Sequence, residues 1–410
     1  MTMGDKRRRA HDKLSALPGV RSIRRPVSVD SGEQFDLYYV RSGPSSSHPV
    51  VVIPGGPGMS SVAAYKGLRK HAADKGLDLI MVEHRGVGLS RHDDSGADLP
   101  PEAFTIAQVV DDIAAVLDDA GIDTAVVYGT SYGTYLAAGM GVRHSDRVAA
   151  MVLDSPLLNR DDYDVVRREF RKLFWHNDSE LARKMRTLTD AGALQPEDLT
   201  IAAAVYGIGG ADVLSRHLDT LIDGHRLLWH TLRWITLHVA RRTVPFQSEA
   251  DLVGPIGFRE LNFVGSPDGL PLDTTLTWRN VPGSRTPFDT EPFDLVAAMP
   301  QFRWPTVVVS GGRDLITPPA VADRIVELVP QPTPVRMPTA AHSILDTRED
   351  AALRIISEVA GGRAGALSGH GVALDALPSI PSVRLGETAL ALAPRLAAVL
   401  PRFRAPRLTS

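Results

Sequence analysis

The sequence predicts an α/β fold, a mostly parallel sheet with helices on both faces and a large, mainly helical unit inserted into it. Short runs of β-branched and apolar residues alternate with longer segments of helical periodicity from about residue 34. Most of the short runs are apolar throughout, the pattern of strands covered on both faces rather than one. The alternation stops after Asp154-Ser155-Pro156 and resumes at Arg303-Trp304-Pro305, so a unit of different character interrupts it.

Composition narrows the class. The chain has 410 residues, more than one compact unit by length. With 43% hydrophobic and 23% charged residues it matches none of the disordered, collagen-like or coiled-coil classes. No stretch approaches the roughly 18 to 20 apolar residues of a membrane span. The first 25 residues lack the apolar core of a secretory leader, so a cytoplasmic location is expected. Having no cysteine excludes a disulfide framework, a thiolate nucleophile and a Cys-based zinc site. The net charge of −3 is unevenly spread. Residues 1–25 carry eight Lys or Arg against two Asp, and residues 361–410 carry six Arg against Asp375 and Glu387. Basic ends on an acidic body read as solvated tails, with neither nucleic acid nor stable membrane insertion expected.

In chain order, residues 1–33 form a basic segment with the first strand. The first part of the core, 34–157, holds strands at Phe35–Val40, Val50–Ile53, Leu79–Glu83, Ala125–Tyr128 and Ala149–Leu153. Between them Ile106, Val109, Val110, Ile113, Val116 and Leu117 recur at helical spacing, and a second helix follows Ser131. The insert, 158–300, is rich in Arg, His and Trp (Trp175, Trp229, Trp234, Trp278). It begins with helical patterns and becomes Pro- and Gly-rich loop from Gly254 to Thr290. As a cap over a sheet it is expected to set substrate selectivity. The second part of the core, 301–360, has strands at Thr306–Ser310 and Val335–Met337. A helix starts between them at Pro318-Pro319, proline being tolerated in a first turn. In the extension 361–410, Leu390, Leu392, Leu396 and Val399 mark an amphipathic helix expected to pack on the body.

Chemistry centres on Gly129-Thr130-Ser131-Tyr132-Gly133. A bare Gly-x-Ser-x-Gly is weak, but this one joins the strand ending at Tyr128 to a helix. Such a turn holds the serine strained with its hydroxyl above the sheet, and its glycines give room to the adjoining strand and helix. A serine needs a base and a carboxylate that orients it, in chain order Ser, acid, His. Asp314, in Gly311-Gly312-Arg313-Asp314, leaves the carboxyl end of one strand, and His342 follows the next. Loops at that edge of an open α/β sheet converge. Pro54-Gly55-Gly56-Pro57-Gly58 after the strand Val50–Ile53 supplies a side-chain-free backbone. Its Gly56 N–H, with Gly55 as the alternative, and the Tyr132 N–H are the expected oxyanion donors. The Gly-rich loop lacks the Lys-Ser/Thr of a phosphate-binding loop.

These stretches, with Glu83-His84-Arg85-Gly86-Val87-Gly88-Leu89-Ser90 and Thr317-Pro318, resemble the α/β-hydrolase fold. Within it they are similar to the proline iminopeptidase and tripeptidyl aminopeptidase group. The resemblance covers residues 34–156 and 303–358. It departs at Pro54, where the group usually has His, and at Glu83, where it usually has Asp. His84 and Arg85 read as loop-structuring residues. The resemblance implies carboxylates in the cap that bind a substrate's protonated amine. Glu260 is the candidate, with Glu180, Glu249 and Glu291 as alternatives.

The expected function is therefore a serine hydrolase without metal or organic cofactor. It releases an amino-terminal residue or short peptide through an acyl-enzyme on Ser131. A carboxylesterase or thioesterase on the same triad is the alternative, and a non-catalytic ligand-binding module the remote one. Epoxide hydrolase and dehalogenase chemistry is disfavoured, since those enzymes carry Asp at the position of Ser131. The expected partner is a small peptide or ester substrate.

Overall fold

The computed structural model describes residues 3–29, 31–281 and 283–397. Its strands are β1 (Val20–Pro26), β2 (Gln34–Ser42), β3 (Val50–Ile53), β4 (Leu79–Val82), β5 (Ala125–Thr130), β6 (Val148–Asp154), β7 (Thr306–Gly311) and β8 (Pro332–Met337). They form one sheet in the order β1-β2-β4-β3-β5-β6-β7-β8. The β1–β2 and β2–β4 pairs are antiparallel, and every pair from β4–β3 to β7–β8 is parallel.

The all-apolar strands are buried on both faces because the sheet separates two cores. Val51, Ile53 and Val127 point into one; Val50, Val52, Val126 and Tyr128 point into the other, the period-two alternation of a strand. The first core is completed by α3 (Ile106–Asp119), α4 (Tyr132–Arg143) and α9 (Pro319–Leu328), following the earlier α1 (Asp5–Ser15) and α2 (Lys66–Asp74) in the chain. The second is completed by α2 and by α10 (Glu349–Ala360). The hydroxyl of Thr105 accepts the Gln108 N–H at 3.2 Å and fixes where α3 starts.

Between β6 and β7 lie α5 (Asp162–Phe174), α6 (Glu180–Asp190), α7 (Asp198–Ile222) and α8 (Arg226–Arg241). They bury a third core around Phe170, Phe174, Met185, Leu214 and Trp229. The fully buried Asp198 accepts the Trp229 indole N–H at 2.9 Å and pairs with Arg233. Helix α7 kinks at Gly210, whose φ of +78° suits glycine. A Cβ there would also meet the Arg313 guanidinium carbon at 3.0 Å, so the kink lies against the residue preceding Asp314. The stretch from Gly254 onward is largely irregular, with helical turns at Pro255–Arg259 and Thr274–Asn280.

One expectation is corrected and another refined. The basic amino-terminal segment is not a solvated tail. It forms α1, with Ala10 and Leu14 against the second core, and its Arg7 side chain is only 17% exposed. The carboxy-terminal helix α11 (Pro381–Ala397) packs on the body as expected, against α7 and α8 of the insert, but of its apolar stripe only Leu390 lies against the third core, whereas Leu392 and Leu396 are exposed. There the His217 ring donates to the Leu390 carbonyl at 2.9 Å. Val399 lies outside the described residues. Among the described residues no helix is long and apolar enough to cross a membrane.

Candidate active site

Strand order places the site. After β3 the chain crosses to β4 on one side, then returns to β5 on the other, so β3 and β5 flank a switch point whose loops diverge and leave a crevice. Ile53 pairs with Gly129, which brings the segments that follow them side by side. A Cβ on Gly55 would lie 3.2 Å from the Ser131 Cβ and 3.8 Å from its Oγ. The Pro54–Gly58 loop therefore approaches Ser131 closely at Gly55.

Ser131 has φ 52° and ψ −124°, a conformation that costs a non-glycine residue about 1 to 3 kcal/mol. Its surroundings enforce it. The Ser131 N–H donates to the Asp154 carbonyl at 2.9 Å, and its carbonyl accepts both the N–H and the hydroxyl of Thr134, at 2.9 and 2.6 Å. Both motif glycines are pressed on backbone. A Cβ on Gly129 would sit 2.2 Å from the Gly133 carbonyl oxygen, and one on Gly133 would sit 2.3 Å from that of Ile53. Gly133→Ala is accordingly expected to destabilise the fold by about 3 kcal/mol or more, since backbone cannot give way as a side chain can. Thermal denaturation checks this, and an unshifted midpoint overturns the close-packing account.

The structure brings Ser131, His342 and Asp314 together from three loops. Ser131 Oγ is 2.9 Å from His342 Nε2, and His342 Nδ1 is 2.9 Å from Asp314 Oδ2. Asp314 is 1% exposed and also accepts the N–H groups of Ile316 and Thr317 at 2.8 and 2.9 Å, and the Thr317 hydroxyl at 2.8 Å. Burial pushes the Asp314 carboxyl up, but the charge and hydrogen bond of His342 outweigh it and hold it below its usual value. Burial pulls His342 down, and the Asp314 carboxylate more than compensates, so the imidazole sits above 6.5. The pair favours a charged imidazole.

The Tyr132 N–H opens α4 and has no acceptor within the helix, as for any first helical turn. Of the Pro54–Gly58 loop, Gly55 is the glycine that lies against Ser131. His84 is half-buried, its Nδ1 bonded to the Arg85 carbonyl at 2.6 Å and its Nε2 3.2 Å from the Tyr132 hydroxyl. Burial pushes its pKa down to about 4. Arg85 grips Asp112 through two bonds at 2.7 and 2.8 Å and donates to the Val27 and Ala103 carbonyls. Both residues organise the loop. Glu83 is wholly buried under the N–H groups of Ser61, Val62 and Leu89, and burial pushes it up to about 7.

The candidate amine-binding carboxylates are placed differently from expectation. Glu260 is committed elsewhere: one oxygen accepts the Ile106 N–H at 2.9 Å at the start of α3, and the other pairs with Arg259 at 2.7 Å. A carboxylate at a helix start interacts favourably with the exposed N–H groups. Glu249, fully buried, pairs with Arg7, and the exposed Glu180 pairs with Lys184 at 2.6 Å. Glu291 differs. One of its oxygens takes the Tyr135 hydroxyl at 3.2 Å and the Arg160 N–H at 3.1 Å, and burial pushes its carboxyl up to about 7. Tyr135 stands one helical turn beyond Ser131. Among the described residues no group of three His, Cys, Asp or Glu could hold a metal ion.

Sequence reasoning did not assign the layer behind His342. Asp154, fully buried at the end of β6, accepts the N–H groups of Ile344 and Leu345 at 3.1 and 3.0 Å and the Tyr128 hydroxyl at 2.9 Å. Ser155 Oγ accepts the Ser343 N–H at 2.9 Å, and Ser155 O accepts the Thr317 hydroxyl at 2.9 Å. The readable signal was Asp154-Ser155 itself, polar residues ending an apolar strand at the edge where the other loops gather.

A sequence profile described as the alpha/beta hydrolase fold matches residues 48–186, which include the Pro54–Gly58 loop and Ser131. A probable proline iminopeptidase of Streptomyces coelicolor is 28% identical over 125 residues, 30% of this chain and 38% of that protein. A putative carbamate hydrolase, RutD, of Caulobacter vibrioides is 29% identical over 116 residues, 28% of this chain and 40% of that protein. The matches thus span well under half the length of these relatives. The crystal structure of a proline iminopeptidase from Mycobacterium smegmatis superposes with a TM-score of 0.53 at 16% identity, covering 84% of this chain and 99% of that one. The chain has the α/β-hydrolase fold with an additional helical region, and it resembles the proline iminopeptidases.

Proposed function

We propose that this chain, an α/β-hydrolase by fold, is a serine hydrolase that uses Ser131, His342 and Asp314 to release an amino-terminal residue or short peptide. The observation that carries the reading is the continuous hydrogen-bond relay from Ser131 Oγ through His342 to a buried Asp314, on a strained strand-to-helix turn. His342 Nε2 takes the hydroxyl proton as Ser131 Oγ attacks the scissile carbonyl. The Asp314 carboxylate keeps the imidazole in the tautomer with a proton on Nδ1 and stabilises the cation that forms. The Tyr132 N–H and the Gly56 N–H, or that of Gly55, receive the developing oxyanion. His342 then returns the proton to the leaving amine, and water resolves the acyl-enzyme by the same steps.

The amino-terminal preference rests on the proline iminopeptidase resemblance and on Glu291, whose half-buried carboxyl gains a counter-charge if an ammonium docks beside it. The commitment of Glu249 and Glu260 to Arg7 and Arg259 favours a second reading, an ester or carbamate hydrolase indifferent to an amine. Paired substrates decide between them. Prolyl, alanyl and tripeptidyl p-nitroanilides should be cleaved with a free amine and lose most turnover when it is blocked, and Glu291→Gln should raise KM for the free-amine series alone. Ester turnover that ignores the amine overturns the peptidase reading and leaves the hydrolase intact.

A further inference from the structure

We propose that Arg7, in the amino-terminal helix, is a positioning residue for the oxyanion loop and acts through Glu249. The proposal rests on the hydrolase reading above. Helix α1 lays the Arg7 guanidinium over the Phe246 ring, 4.4 Å from its centre, with both Glu249 oxygens in reach and the Gly88 carbonyl at 3.0 Å. Glu249 is fully buried and also accepts the Gly88 N–H at 2.6 Å. Its own N–H donates to the carbonyl of Gly58 at 2.8 Å, the last residue of the loop that faces Ser131.

The coupling between these segments is tight. A Cβ on Gly58 would lie 2.7 Å from the Ala250 Cα, so loop and return segment touch backbone to backbone. The next residues are tied as well, the Ser60 N–H to the Gln247 carbonyl at 3.0 Å and the Ser60 hydroxyl to the Phe246 carbonyl at 2.5 Å. At its other end the loop lies against Ser131 through Gly55. The oxyanion loop is thus held between the serine and a carboxylate, and Arg7 is the cation on that carboxylate.

Without Arg7 a buried carboxylate loses its counter-ion, which the fold can relieve by moving residues 246–250 toward water. That movement loosens the grip on Gly58. A loop donor displaced by a fraction of an ångström is felt where charge develops on the carbonyl oxygen, more in the transition state than in the bound substrate. The loss should therefore fall on kcat rather than KM.

The test is Arg7→Ala in the full chain, with Arg8→Ala, an exposed arginine on the same helix, as control. Two readouts are needed, turnover of a p-nitrophenyl ester or p-nitroanilide and the rate of Ser131 labelling by a fluorophosphonate. Arg7→Ala should lower kcat and the labelling rate by roughly 10- to 100-fold with KM within about threefold. Millimolar methylguanidinium should restore several-fold of the loss, and Arg8→Ala should match the wild type. Arg7→Lys keeps the charge without the two-point grip, is expected to fold should the alanine variant not, and should lose about 3- to 10-fold in kcat. Unchanged kcat in either Arg7 variant overturns the proposal, as does a loss that methylguanidinium leaves unrepaired. A wild type that neither hydrolyses nor labels at Ser131 overturns the hydrolase reading and this proposal with it. A wild type and Arg7→Ala that label equally fast overturn only the role of Arg7.

Discussion

Ser131→Ala is expected to lower kcat by roughly 10⁵- to 10⁶-fold, the scale on which removal of an attacking hydroxyl reduces a serine hydrolase to what binding and oxyanion donors achieve alone. The fold should be untouched. The backbone at 131 is fixed by the Asp154 carbonyl and by Thr134, not by the side chain, so the alanine variant should melt close to the wild type. The comparison should use the substrate that the wild type turns over best, with fluorophosphonate labelling in parallel. Retained turnover in a folded Ser131→Ala protein would place the nucleophile elsewhere and remove the basis for the peptidase and esterase readings together.

Asp314→Asn should cost roughly 10⁴-fold in kcat, because an amide in that place can hold the imidazole in the wrong tautomer. The pH profile separates this from simple damage. The attacking serine needs a neutral His342, so kcat/KM rises with pH as His342 loses its proton, and because Asp314 holds that group above 6.5 the acid limb of the wild type should lie above pH 6.5. In Asp314→Asn the stabilising charge is gone while burial still disfavours the imidazolium, so the limb should move to lower pH even as the plateau falls. A limb that stays where it is in the variant would mean that the titrating group is not His342.

The parts of this molecule that the sequence disclosed are those where one residue's chemistry dictates its surroundings. All-apolar β-branched runs as short as Val50–Ile53 read as strands between two cores, and Gly129 and Gly133 are intelligible once a strand must turn into a helix with no room for side chains. Ser131, Asp314 and His342 could be picked because each sits just beyond a strand end, and the sheet brings such ends to one edge. What stayed hidden depends on pairing across distance. Arg7 and Glu249 are 242 positions apart, and nothing local to either announces the other. Glu260 looked available because its engagement with the Ile106 N–H is likewise a contact across the fold. The exposure of Leu392 and Leu396 on α11 was hidden for the same reason, since apolar periodicity marks a face without naming the surface that covers it.

That helix also bears on how the protein is made. The surface of α7 that it covers, near His217, is synthesised more than a hundred residues before Leu390. During translation the insert must therefore carry an uncovered apolar flank while the second half of the sheet is still being added. An incomplete chain in that state presents sticky surface to its neighbours. Ribosomal pausing upstream of residue 381 would lengthen the exposure, and a chain released there would leave the flank bare.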